Sequence, residues 1–169
     1  MGAVFEVGII SRDFIPLEVC IAYLQRFGVQ FTVEKLECMQ DWTWTGHRTL
    51  QTNEWDDVKL TLAAGQIVLI RGKLGGSYAG IFLEENDDGT FQTCLWFEQS
   101  FYPMTGATSF VGSRAFFSEL ETSLEDWLSV FSDYGLVLVV MGEEIVFQYT
   151  ADLDYLKEHC QVDRWIPFV

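Results

Sequence analysis

The apolar positions between residues 4 and 36 change period twice, and each change marks a new element. Val4 to Ile10 is an almost continuous apolar run rich in branched side chains, as in a buried strand. From Leu17 the period lengthens: Leu17, Cys20, Ile21, Leu24 and Phe27 share one helical face, and Pro16 fits the first turn, where a missing N–H costs nothing. Gly28 supplies the stop, after which Val29, Phe31 and Val33 alternate as in a strand. The result is a β-α-β unit. If its strands are parallel neighbours, the connection is right-handed.

The middle of the chain is rich in strands. Asn53 can cap a helix running to Ala64 with Gly65 as its stop, although Val58, Leu60 and Leu62 also alternate like a strand. Strands are expected at Gln66–Lys73, Tyr78–Glu84 and Thr90–Glu98. The first two are separated at Gly75-Gly76, and the last two are joined by the hairpin turn Asn86-Asp87-Asp88-Gly89, whose residues tolerate positive φ. Beyond the turn-rich stretch Ser100–Ser113, Leu120, Leu124, Trp127, Leu128 and Phe131 form the apolar stripe of a second major helix. A strand at Leu136–Met141, a turn at Gly142-Glu143-Glu144, a strand at Ile145–Tyr149 and a helix from Asp152 to about Cys160 follow. The expected fold is a single α+β domain over residues 1–169: a mixed or antiparallel curved sheet, two main helices on one face and a short C-terminal helix. The helix–glycine–strand segment from Leu17 matches one from Leu124 at an offset of 107 residues. A duplication would produce this pseudo-repeat, and so would any two amphipathic helices that stop at glycine before a strand.

Composition gives this globule an unusual charge. The chain has 169 residues, 49% of them hydrophobic, and a net charge of −15. Residues 85 to 169 hold fifteen acids against Arg114, Lys157 and Arg164, whereas residues 1 to 84 hold ten acids against seven cations. So acidic a surface repels phosphates, which argues against nucleic-acid binding. No apolar run approaches the roughly 20 residues that span a bilayer, and the N-terminus lacks the basic start and apolar core of a signal peptide, so no membrane role and a cytoplasmic location are expected. Cys20, Cys38, Cys94 and Cys160 are widely spaced among apolar neighbours, as buried free thiols would be.

The motifs of familiar chemistry are missing. The glycine-rich segment Gly75–Gly80 lacks phosphate-loop spacing and lies between strands. His47 and His159 belong to no nucleophile signature; His159 suits a helix C-terminus, and His47 is the better candidate base. Zinc would have to combine Cys38 or Cys160 with the two histidines at no recognisable spacing. The paired carboxylates Asp56-Asp57, Glu84-Glu85, Asp87-Asp88, Glu125-Asp126 and Glu143-Glu144 are adjacent in sequence, whereas catalytic pairs converge from different elements. No enzyme, cofactor or metal site is expected.

Two candidate surfaces remain. One is acidic: Asp87 and Asp88 at the hairpin, Glu121, Glu125, Asp126 and Asp133 off the apolar stripe of the second helix, and Glu143 with Glu144. Capping and the helix dipole would account for acids near a helix start, and a basic partner would account for all of them. The other is Asp41-Trp42-Thr43-Trp44 with His47, where two indoles in a polar segment would anchor a partner or stack on a flat ligand, unless they form one face of a strand. The leading expectation is an acidic inhibitor of a basic protein, such as a toxin or nuclease, in the manner of an immunity protein or antitoxin. The alternative is a small-molecule-binding module or an enzyme with a pocket near Trp42, Trp44 and His47.

Overall fold

Strand pairing collects the apolar runs into one eight-stranded antiparallel sheet, accompanied among the described residues by three short helices and a helical segment at 128–134, an α+β arrangement dominated by sheet. The computed structural model describes residues 4–25, 30–51, 57–74, 77–98, 128–143, 153–159 and 161–167. In chain order these form β1 (Val4–Ser11), α1 (Leu17–Gln25), β2 (Phe31–Met39), β3 (Arg48–Thr49), α2 (Val58–Ala63), β4 (Ile67–Leu74), β5 (Ser77–Glu85), β6 (Phe91–Glu98), β7 (Leu136–Glu143), α3 (Leu153–His159) and β8 (Gln161–Pro167). Across the sheet the order is β3-β2-β4-β5-β6-β1-β7-β8.

That order settles two points that the sequence left open. Every pair is antiparallel, so the sheet is not mixed. β1 and β2 are not neighbours either; β4, β5 and β6 lie between them. From β4 to β6 consecutive strands pair, β5 and β6 through the turn at 86–90, and β6 then takes β1 as its far neighbour.

Local signals fared better than pairing. Gly89 and Gly135 adopt positive φ, 81° and 68°, in the hairpin and before β7 as their positions required. Residues 58–63 resolve as helix, because Val58, Thr61 and Leu62 turn inward together at a spacing that a strand would split between two faces. Gly142 and Glu143 extend β7 instead of forming a turn, and β3 and β8 were not anticipated. The predicted strand at 145–149, Gly28 and the second helix before Leu128 lie outside the described residues.

Both faces of the sheet are apolar, which explains why β4 reads Ile-Val-Leu-Ile without alternation. On the first face Val7, Ile9, Cys38, Val68, Ile70, Ile81, Leu95 and Phe97 join Cys20, Tyr23 and Leu24 of α1, Leu62 of α2, and Phe131 in one cluster. On the second face Ile10, Met39, Ile67, Leu69, Phe82, Cys94, Leu138 and Val140 form another, with Trp42 packed against it. This second face also carries nearly buried polar groups, among them Glu6 and Glu37. Among the described residues, no helix is long and apolar enough to cross a membrane.

Candidate functional site

The end of the sheet where β2 finishes gathers five segments. Met39 pairs with Ile67, Glu85 with Phe91, and Ser11 with both Phe91 and Leu136. The register therefore brings 40–46, 64–66, 86–90, 12–15 and 132–135 to one end. Asp13, Asp41, Asp87, Asp88 and Asp133 in these segments are all exposed, and the one Lys or Arg among them is Arg12. From β2 to β7 there are five strand spacings, so the rim is about 24 Å long. Glu143 closes β7 at the opposite end and is not part of the rim. Glu121, Glu125, Asp126 and Glu144 lie outside the described residues.

Two rim loops use the same device. Asp41 Oδ1 accepts the Thr43 amide at 2.9 Å and its hydroxyl at 2.5 Å; Asp88 Oδ1 accepts the Thr90 amide at 2.9 Å and its hydroxyl at 2.6 Å. Side-chain hydrogen bonds to the ionised oxygen hold both carboxyls below their ordinary value of 3.8. Both loops keep their charge, and the stability these bonds contribute is lost only as pH falls through the lowered pKa values.

The Asp41 loop also sets the positions of the two tryptophans, which do not form a strand face. Trp42 turns onto the sheet, its ring edge-on to Phe82 at 5.2 Å. Trp44 stands 45% exposed. Its backbone sits at φ 67°, a left-handed conformation that costs a bulky L-residue about 1–2 kcal/mol. The loop's own bonds enforce it: the Trp44 amide donates to the Asp41 carbonyl, the Gln40 amide to the Thr45 carbonyl, and the His47 amide to the Trp44 carbonyl.

Below Trp44 lies a centre built around Glu37, whose side chain is 4% exposed. His47 Nε2 is 2.9 Å from its Oε1, and Arg71 Nε is 2.9 Å from its Oε2. Arg71 and Glu37 come from neighbouring strands, while His47 arrives from the loop entering β3. The Arg71 guanidinium lies 5.1 Å from the centroid of the Trp44 ring, and the His47 ring meets Trp44 at 5.0 Å. A buried carboxylate thus fixes the direction of an imidazole and a guanidinium under one indole. Sequence reasoning identified His47 and Trp44 but missed Glu37 and Arg71. A charged residue inside an apolar run, as in Leu36-Glu37-Cys38-Met39, was the available signal.

The same strand geometry separates His47 from Cys38, which points into the first-face core while Glu37 points the other way. Among the described residues, no three His, Cys, Asp or Glu side chains gather as a metal site would require. No protein-family model, no curated protein and no solved structure matches the chain.

Proposed function

We propose that this is an acidic protein-binding protein that engages a basic protein partner through the rim at the β2 end of its sheet and neutralises it by occlusion, as an immunity protein or antitoxin-like inhibitor does. The observation that supports this most is the five exposed aspartates along about 24 Å with Arg12 as their one cation. Two of these carboxylates are held in fixed loops, so little order need be gained on docking. Glu121, Glu125, Asp126, Glu143 and Glu144 add to the protein's attractive field at longer range. With this reading goes a cytoplasmic location and the finer picture of the fold: a curved sheet, two main helices on one face, and a helix–glycine–strand pseudo-repeat. Association with a captured basic partner is expected to slow steeply with ionic strength, and Asp87→Asn/Asp88→Asn should reduce the on-rate more than the off-rate increases. An association rate indifferent to salt between about 50 and 500 mM would sink it.

A second reading, a small-molecule site beside Trp44 and His47, draws support from the centre around Glu37, because orienting an imidazole and a guanidinium with a buried carboxylate is how proteins prepare polar groups for a ligand.

A further inference from the structure

We propose that the second face of the sheet at Lys35, Arg71 and His47 is a binding site for a small anion, a phosphate or carboxylate, carried on a flat aromatic ring that covers Trp44. The proposal rests on the ligand-binding reading above and names the ligand's chemistry.

Lys35 and Arg71 are direct cross-strand partners in the β2–β4 ladder. Like charges placed opposite each other on one face repel, so the pair calls for an anion between or above them. Glu37 answers part of that charge, but from beneath: it is buried and takes Arg71 through Nε, on the inner side of the fork. The outer Nη groups of Arg71, the Lys35 ammonium and Nδ1 of His47 have no protein partner among the described residues. A guanidinium with its terminal donors free is suited to two-pronged recognition of phosphate or carboxylate.

Charge distribution favours the same assignment. Four of the chain's ten Lys and Arg residues, Lys35, Arg48, Arg71 and Lys73, lie on β2, β3 and β4, together with His47 at the start of β3. Lys73 is already engaged by Glu34 at 3.3 Å and stacked on Tyr78, and Arg48, paired directly with Cys38, belongs to the first face, so Lys35 and Arg71 are the cations that the second face offers a ligand here. In a protein at −15 this is a local reversal of sign. The Trp44 indole, held outward in a backbone conformation that its loop must enforce, forms an aromatic wall directly over Arg71 and His47. An anion alone would leave that ring exposed; an aromatic body would cover it.

Phenyl phosphate, inorganic phosphate and phenol are the probes, titrated into the full chain while the Arg Nε–Hε and His ring signals are followed by NMR. Phenyl phosphate is expected to shift the Arg71 and His47 signals saturably, with a Kd of about 1 mM or tighter, and phosphate more weakly. Arg71→Lys, which keeps the charge beside Glu37 but loses the fork, should weaken binding at least about tenfold. Lys35→Ser should weaken it about threefold. Trp44→Asn, which tolerates the left-handed backbone, should reduce the preference for phenyl phosphate over phosphate about fivefold. If phenol binds at these signals as tightly as phenyl phosphate, and Lys35→Ser changes nothing, the anionic class is overturned while a ligand site stands. Shifts that stay linear to about 10 mM for all three probes overturn both the ligand class and the ligand-binding reading.

Discussion

Replacing Glu37 with Gln tests whether the centre beneath Trp44 is held by charge. The substitution keeps the shape and one oxygen acceptor but removes the negative charge that faces His47 at 2.9 Å and Arg71 at 2.9 Å. The His47 contact is a hydrogen bond to a charged group, a kind that contributes about 1.5–3 kcal/mol when buried, whereas Arg71 meets Glu37 Oε2 as an ion pair without hydrogen-bond alignment. Arg71 and His47 are 40% and 34% exposed, so water screens both and offers each an alternative partner, which brings each contact towards the 0.2–1 kcal/mol of surface pairs. Gln also avoids the cost of burying a carboxylate, which lowers the net loss further. The expected destabilisation at pH 7 is therefore about 1–2 kcal/mol, or a Tm lower by about 2–8 °C for a chain of this size. Urea denaturation with an unchanged m-value would measure it directly. A variant as stable as the wild type to within about 0.5 kcal/mol would show that Glu37 does not hold the two cations, and the argument for a pre-oriented site would lose its foundation.

Three other outcomes follow from the same structure. Gly80→Ala should destabilise by at least about 2–3 kcal/mol in the same urea assay, because a Cβ there would run into the Ile70 carbonyl and the Trp96 ring that lies over this glycine. Burial raises the Glu84 carboxyl above its ordinary value of 4.5, so the folded state favours its proton and loses stability as pH rises through the raised pKa. Glu84→Gln should accordingly gain stability over the wild type at pH 7 and no longer do so at about pH 3.5, compared by thermal melts at the two pH values. A thiol reagent at pH 8 should leave Cys20, Cys38 and Cys94 unlabelled in the native protein and label all three in urea, read by mass spectrometry. All three are buried; burial pushes the Cys20 thiol up to about 12, and burial beside Glu6 raises Cys94 as well.

Features that depend on a few consecutive residues could be read from the chain. The run Val4–Ile10 is β1, the stripe Leu17, Cys20 and Leu24 is the inner side of α1, and Asn86–Gly89 turns with Gly89 at positive φ, because side-chain period and the freedom of Asn, Asp and Gly act over one or two turns of backbone. The excess of acid was equally plain. The neighbour of each strand was not. Nothing near Val4–Ser11 says that it pairs with Phe91–Glu98 and Leu136–Glu143 instead of Phe31–Met39, since both faces of these strands are apolar and several pairings would bury them equally well. The same long-range choice decided the candidate sites. It placed Asp41, Asp87, Asp88 and Asp133 on one rim, sent Glu143 to the other end, and set Arg71 opposite Lys35 beside Glu37 under a tryptophan 27 residues away in sequence from that arginine. Local sequence determined the elements and the charge; the sheet's pairing order, a property of the whole chain, determined which charges meet.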